Sequence, residues 1–305
     1  MIKSKVFFAA LLLSLAALPA WAEVRVVASV KPLQLIAAAV VDGIGRAEVL
    51  IPPGASPHHY ALKPSDMRKL GEADQLIWVG PQLEMFLAKT LRQQAVPALA
   101  LLPMEDGGDQ HEADEEQDTT GGHHHHDHER DLHLWMNPLQ ALRAAEQLSE
   151  ALAGRFPQHR ETLTKNLERF AASLLSKDRQ LQQQLQPLQQ RGFFVFHDAY
   201  SGFVKRYGLK QLGYFTVDPG RPTGTRRLAE IRQRLKAAEA VCVFGEPQFK
   251  AAVVRTVTEG LSVGYAELDP LASEQAVSAD GYALYLQQLA DRFSGCLGAN
   301  LTAKP

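Results

Sequence analysis

Long hydrophobic runs are nearly missing from this chain, which argues against membrane-spanning helices. The one extended apolar run, residues 6–18, is shorter than the roughly 18–20 residues that a span needs. Lys3 and Lys5 precede this run, and the small-x-small tripeptide Ala20-Trp21-Ala22 follows it. The pattern is typical of a secretory signal peptide, here residues 1–22, cleaved after Ala22; a buried N-terminal helix is the alternative. We therefore expect export to the periplasm. Because no cysteine follows the cleavage site, we expect no lipid anchor.

Cysteine is equally scarce. The chain contains two, Cys242 and Cys296, which lie far apart in the sequence. In an exported chain a disulfide between them is favoured, because the compartment is oxidising. Two buried thiols or a thiolate metal site are the alternatives.

Stripes of lysine and arginine with interleaved aromatic residues are also absent, so nucleic acid is not an expected partner. The formal net charge of −2 hides an asymmetry. Residues 104–131 contain 11 acidic residues and a single base, Arg130, for a net charge of −10. Without the two lysines of the signal peptide the chain carries −4, so everything outside this segment carries +6. An acidic segment is thus inserted in a mildly basic globular protein.

Strand and helix patterns alternate over most of the chain, which predicts an α/β fold with mostly parallel sheets. Between residues 138 and 190 no strand candidate occurs, and Pro157 divides this region into two helices. The second helix has an apolar stripe with 3–4 spacing and one gap at Asp178. We predict an N-terminal lobe at residues 23–157 (with the acidic insert 104–131), a linking helix at 158–190, and a C-terminal lobe at 191–305. An amphipathic coiled coil is the alternative for the long helix.

Histidines follow the predicted strands. His58 and His59 follow the strand "AEVLI", His133 begins "HLWMNP", His197 ends "FFVFH", and Asp269 follows "VGYAEL". Ligands of open α/β sheets bind beyond the carboxyl ends of the strands, and neutral imidazole suits Zn²⁺. Two interpretations of these residues are open: they form a shared metal site, or they are ordinary hydrogen-bonded structural residues. Neighbours in an extended loop point apart, so at most one of His58 and His59 should face the cleft.

Other readings stay open for the two carboxylates near these strands. Asp269 precedes Pro270 and could begin a turn, and Glu246 precedes Pro247 and could begin a helix.

The motifs "GASPHHYALKPSDMRKL", "LIWVGPQLEMFL", "HLWMNP", "FHDAYSGF", "VFGEPQF" and "ELDPL" occur in this order. As an ordered set they resemble the metal-binding cluster of ABC-transporter solute-binding proteins, and more narrowly its periplasmic zinc-uptake (ZnuA-type) branch. The resemblance implies two Rossmann-like lobes joined by one long rigid helix, with Zn²⁺ in the cleft as cargo. It implies zinc ligands at His58, His133 and His197, and it includes the late cysteine pair.

One position departs from the pattern. Some relatives have glutamate immediately before the first ligand histidine, where this chain has Pro57, which offers no donor. The fourth zinc position would then be filled by water, by Asp269, directly or through a water, or by a residue of the insert. Three histidines with at most one carboxylate favour zinc over the harder Mn²⁺, although nickel and copper also bind imidazole.

The acidic insert is rich in histidine and almost free of apolar residues, so it cannot fold alone. Its histidines are His111, His123, His124, His125, His126 and His128. We interpret them as a secondary, weaker zinc-binding segment. A cloning tag and a solvated loop without function are the alternatives.

The predicted function is capture of Zn²⁺ in the periplasm and delivery to an ABC permease, not catalysis. The resemblance implies as partners an inner-membrane permease with its cytoplasmic ATPase, and an auxiliary periplasmic zinc chaperone; we expect a monomer. The rival function is a zinc hydrolase with three histidine ligands and an open fourth position. It needs a general base near the bound water, for which Glu246 and Asp269 are the candidates, but the sequence has no HExxH motif. A metal-buffering or adhesion protein without a transporter is the third alternative.

Overall fold

The structure, a computed structural model, describes residues 23–93, 95–102, 131–217, 219–220, 223–237, 240–249 and 252–299. The signal peptide and the histidine-rich insert, both predicted from the sequence, lie outside these residues. No helix in the described ranges is long and apolar enough to cross a membrane.

The first lobe contains four parallel strands in the order β2-β1-β3-β4. Its elements are β1 Val24–Ala28, α1 Lys31–Val40, β2 Gly45–Val49, α2 Pro64–Gly71, β3 Gln75–Trp78, α3 Met85–Gln93, β4 Ala98–Ala100 and a short 3₁₀ turn at Leu134–Met136. A helix lies between each strand of this lobe and the next one in the chain, because parallel strands need a crossover connection.

Two helices follow this lobe: α4, Pro138–Arg155, and α5, Arg160–Leu185, separated by a 3₁₀ turn at Pro157–His159. Pro157 thus separates the two helices, as the sequence predicts, because a proline cannot continue the hydrogen-bonded turn. Helix α5 has 26 residues and is about 39 Å long. A further 3₁₀ turn, Gln186–Leu188, leads to the second lobe.

The second lobe repeats the topology of the first, with four parallel strands in the order β6-β5-β7-β8. Its elements are β5 Gly192–His197, α6 Ser201–Tyr207, β6 Lys210–Thr216, α7 Thr225–Lys236, β7 Cys242–Gly245, α8 Ala252–Thr258, β8 Gly264–Glu267 and α9 Gly281–Gly298. The prediction of two parallel α/β lobes joined by a long helix is therefore confirmed.

One hydrophobic core runs through both lobes. Alternate residues of each strand face opposite sides of its sheet, so Phe193 and Val195 of β5 enter this shared core while Phe194 enters a smaller outer core. The shared core includes α1, α4, α5 and α9, and each sheet has a separate outer core beneath its outer helices. The two lobes therefore share one close-packed interior.

A disulfide joins two layers of the second lobe, and two hydrogen bonds join the two lobes. A disulfide joins Cys242 of β7 to Cys296 of α9, which confirms the predicted pairing. Across the lobes, the indole Nε1 of Trp135 donates to the carbonyl oxygen of Pro270 at 2.8 Å, and the Tyr282 hydroxyl donates to the carbonyl oxygen of Trp135 at 2.6 Å. The turn that follows His133 is therefore fastened to the second lobe.

Helix α5 contains a feature that its apolar stripe does not predict. Asp178, the apparent gap in the stripe, is 2 % exposed and lies on the same buried face as Leu174 and Leu181. Arg206 of α6 donates from Nε to its Oδ1 at 3.0 Å and from Nη2 to its Oδ2. The stripe is thus continuous, with one position buried as an ion pair.

Candidate metal centre

Three histidines meet between the two lobes. One ring nitrogen from each of His58, His133 and His197 lies within 4.8 Å of the corresponding atoms of the other two. The ring centroids are 4.8 Å apart for His133 and His197, 5.3 Å for His58 and His197, and 5.7 Å for His58 and His133. Within the described ranges this is the only group of three or more potential metal-ligating side chains that comes together.

The first lobe supplies His58 from the long loop that follows β2. The backbone N–H of His58 donates to Ser56 Oγ at 3.3 Å. At the far end of the loop, Asp66 accepts from the Tyr60 hydroxyl and from the Lys63 N–H, both at 2.8 Å, which fixes the entry into α2. His59 is exposed and lies outside the histidine group, as expected for neighbours in an extended loop.

His133 is held at the start of the 3₁₀ turn. Its N–H donates to Asp131 Oδ1 at 3.0 Å, and its Nδ1 lies 3.9 Å from the same oxygen. Its ring contacts Trp135 edge to face at 5.4 Å between centroids. Since Trp135 is itself bonded to Pro270, the second lobe helps to orient a histidine of the first.

His197 is the last residue of β5, at the carboxyl end of the second sheet. It is 3 % exposed, and His133 is 6 % exposed. Both rings are therefore shielded from water, whereas His58 is only partly buried.

The electrostatics favour a neutral ligand set. Burial, reinforced by the nearby rings of His197 and His58, lowers the pKa of His133 well below its usual range. His133 therefore stays neutral at physiological pH, which is the form that binds a metal ion.

The site contains polar atoms that lack a partner. Nε2 of His133 and both ring nitrogens of His197 are buried and accept or donate no hydrogen bond within the described part of the chain. Buried polar groups without partners are costly and rare, so they indicate a missing ligand. Three converging imidazoles match the donor set that Zn²⁺ prefers.

The space between the histidines is small. The cavity between them measures about 10 Å³ and is lined by the three histidines together with Glu246, Gln248 and Phe249, among others. This volume holds roughly one water-sized particle. The space fits an ion, and His58 and His133 also line a larger groove of about 480 Å³ beside it.

The two carboxylates of the second lobe are placed differently. Asp269 is not part of the histidine group in the described residues. Its Oδ1 accepts from Gln248 Nε2 at 2.6 Å and from the Leu271 N–H at 2.9 Å, and its Oδ2 accepts from the Ser273 N–H. This carboxylate caps its own turn.

Glu246, by contrast, lies against the histidines. It is 3 % exposed, and its Oε1 is 3.6 Å from His197 Nδ1. The sequence interpretations of Glu246, as a helix-entry residue or as the general base of a hydrolase, did not predict this contact with His197. The signal that could have found it is its place at the end of β7, the criterion that selects His197 at the end of β5. The insert histidines named above lie outside the described residues.

Two parallel-sheet lobes, with histidines from both meeting in the cleft between them, define a two-lobed metal-binding protein of the solute-binding class. A family model described as "Zinc-uptake complex component A periplasmic" (ZnuA) matches residues 26–296. The chain is 41 % identical over 292 residues to a "High-affinity zinc uptake system protein ZnuA" from Yersinia pestis, covering 90 % of this chain and 92 % of that protein. It is 40 % identical over 291 residues to the protein of the same name from Haemophilus ducreyi, covering 90 % and 94 %.

Solved structures agree with these relatives. A crystal structure of ZnuA aligns with a TM-score of 0.71 and 26 % identity, covering 90 % of this chain and 100 % of that one. A zinc-bound ZnuA with residues 138–173 of its own sequence deleted aligns with a TM-score of 0.73 and 26 % identity, covering 93 % and 100 %. The chain belongs to the ZnuA family of zinc-uptake proteins. This is a family of solute-binding transport proteins and does not favour the hydrolase alternative.

Proposed function

We propose that this protein captures Zn²⁺ in the periplasm and delivers it to an ABC permease for import. The observation that carries the proposal is the convergence of three histidines from two lobes, two of them buried and His58 partly buried, on a small cavity that fits an ion. The names of the relatives, which are zinc-uptake proteins, support zinc as the cargo.

The proposed ligands are His58, His133 and His197. Asp269 remains the candidate for the fourth position, directly or through a water molecule. To reach the ion it would have to give up hydrogen bonds from Gln248 and from the Ser273 N–H. Water is the simpler fourth ligand, since it requires no such exchange.

Calorimetric titration of the zinc-stripped exported protein tests the assignment. The control is the triple variant His58→Ala, His133→Ala, His197→Ala. Loss of the tight phase in the variant supports the cleft as the main site. Survival of the tight phase in the variant would place the main site elsewhere and contradict the proposal.

The histidine-rich insert is proposed to bind zinc more weakly and to feed the cleft or report zinc excess to the permease. Support comes from its composition and from its position in the chain. Leu102, shortly before the insert, and Asp131, its last residue, line one surface groove together. Deleting residues 105–130 should leave one tight phase and remove weaker ones. Unchanged stoichiometry after the deletion would contradict this role.

The proposed partners are an inner-membrane permease, its cytoplasmic ATPase and an auxiliary periplasmic chaperone, with this protein acting as a monomer after cleavage behind Ala22. The continuous core between the lobes supports modest local adjustment on metal binding rather than wide hinge opening. Rescue of zinc-limited growth that depends on the permease distinguishes uptake from simple buffering of the metal.

A further inference from the structure

We propose that Glu246 is the positioning residue of the zinc site: its carboxylate accepts the Nδ1–H of His197, so that His197 binds the ion through Nε2. This deepens the proposed function and rests on it. It assigns Glu246 a role in holding the ligand, not direct coordination of the metal.

Strand register brings the two residues together. Strands β5 and β7 are parallel neighbours, with Phe193 opposite Cys242 and Val195 opposite Phe244. Continuing this register by two residues places Glu246 opposite His197. Residues two apart share a face of the sheet, so both side chains lie on the side of the shared core, where the cavity is.

The geometry selects one nitrogen of the imidazole. Nδ1 of His197 lies 3.6 Å from Glu246 Oε1, slightly beyond hydrogen-bond range, and has no other partner among the described residues. A shift of less than 1 Å would form the bond. Nε2 of the same ring is also buried, and no described residue is bonded to it, which leaves it to bind the ion. Ligand histidines generally donate their second N–H to a carboxylate or carbonyl, which fixes the tautomer.

Glu246 is itself held in place. The Tyr200 hydroxyl lies 3.2 Å from Glu246 Oε1 and 3.1 Å from the carbonyl oxygen of Leu268, and Tyr200 is fully buried. Burial, with the charge of Glu246 next, raises the pKa of Tyr200 well above its usual range, so the hydroxyl keeps its proton and acts as the donor. Oε2 of Glu246 is buried and has no hydrogen-bond partner in the described ranges.

Charge balance supports the same role. Three neutral imidazoles leave a buried Zn²⁺ with its full double charge, and an ion in a low-dielectric interior needs nearby compensation. Glu246 supplies one negative charge from behind His197. A similar, more exposed arrangement exists in the first lobe, where Asp131 Oδ1 is 3.9 Å from His133 Nδ1.

The test compares Glu246→Gln with Asp198→Asn. The first variant keeps the size of the side chain and a carbonyl acceptor but removes the charge. The second removes a carboxylate one residue from His197 whose Oδ1 accepts instead from Ser201 Oγ and Gln211 Nε2. Zinc affinity is measured by competition with a chelator. We expect about a 10–100-fold loss for Glu246→Gln, the usual effect of removing such a partner, and less than about threefold for Asp198→Asn.

A spectroscopic readout separates positioning from general damage. Loaded with one equivalent of Co²⁺, the protein should show one shifted, exchangeable imidazole N–H proton signal for each ligand histidine. In Glu246→Gln the signal of His197 should shift and exchange faster with water, while those of His58 and His133 persist. A purely structural role would move all three signals or none.

The outcomes are distinct. Wild-type protein that binds no zinc refutes the proposed function itself. Wild-type protein that binds zinc tightly, with Glu246→Gln binding equally well and with an unchanged His197 signal, refutes only the role of Glu246. Evidence from X-ray absorption that a Glu246 oxygen is bound to the metal also overturns the proposal. If Glu246→Gln fails to fold, an unprotected His197 N–H in the Co²⁺-loaded wild type overturns it instead.

Discussion

The ion pair between α5 and α6 predicts a marked asymmetry between two substitutions. Asp178 is almost fully buried, with 3 % of its side chain exposed, whereas 26 % of the Arg206 side chain is exposed. Arg206→Ala therefore leaves a carboxylate stranded in the core. Asp178→Leu instead leaves a guanidinium that can turn towards water, and it completes the apolar stripe between Leu174 and Leu181.

The magnitudes follow from this difference. Breaking a buried pair by removing one partner costs about 3–5 kcal/mol, because the other charge stays buried without compensation. Arg206 is partly exposed, so water will enter beside it and we expect the lower end, about 3 kcal/mol, for Arg206→Ala. For Asp178→Leu we expect about 1 kcal/mol or less, since apolar replacement of a buried charge is often close to neutral.

Urea unfolding of the zinc-free protein, followed by tryptophan fluorescence, measures both free energies. In thermal unfolding the loss for Arg206→Ala should appear as a fall of roughly 6–12 °C in Tm, at about 2–4 °C per kcal/mol for a chain of this size. The double variant Asp178→Leu/Arg206→Met is the control and should lie near the wild type. If Arg206→Ala is no more harmful than Asp178→Leu, the reasoning from burial is wrong.

Three further predictions concern pH, the disulfide and the link between the lobes. The free energy of unfolding of the zinc-free protein should fall as the pH drops below about 6.5. The lowered pKa of His133 means that the unfolded chain takes up a proton there that the folded protein does not. In urea titrations His133→Gln should reduce this dependence on pH, and an equal dependence in the variant would show that His133 is not its source. The double variant Cys242→Ala/Cys296→Ala should lose about 4 kcal/mol in free energy of unfolding, since the disulfide closes a loop with a sequence separation of 54. An unchanged urea midpoint would show that the disulfide does not stabilise the fold. Trp135→Phe removes the donor to the carbonyl oxygen of Pro270 and should cost about 1–2 kcal/mol in free energy of unfolding. The same exchange at Trp78, whose Nε1 has no hydrogen-bond partner within the described part of the chain, should cost less. Equal effects of the two exchanges would rule out a stabilising contribution from the Trp135 hydrogen bond.

The long helix shows what hydrophobic periodicity in the sequence can predict and what it cannot. The 3–4 spacing of leucines predicts both the helix and its buried face, and the structure has both. The same pattern treats Asp178 as an interruption, since a carboxylate alone is expensive to bury. Its partner, Arg206, lies 28 residues away in another element. Periodicity describes one helix at a time, so it cannot reveal a charge that a second helix neutralises.

The metal centre, like the long helix, was predictable from the sequence only in part. His133 and His197 attract attention because each lies beside a predicted strand end or a distinctive motif, and the fold brings both to His58. For carboxylates, the strand-end rule was applied only to Asp269, although it fits Glu246 equally well. The side chain of Asp269 folds back on its own turn, whereas that of Glu246 shares a sheet face with His197. Assignment of Asp269 as a metal ligand stays a prediction.

The sequence by itself determined the α/β class, the parallel strands, the long helix and the histidines worth considering, because these depend on local spacing and on residue chemistry. Together with the family resemblance it also indicated zinc and the disulfide. Only the tertiary structure decided which side chains face one another across the cleft. That choice depends on the register between β5 and β7 and on packing between the lobes, and both are contacts between residues that are distant in the chain.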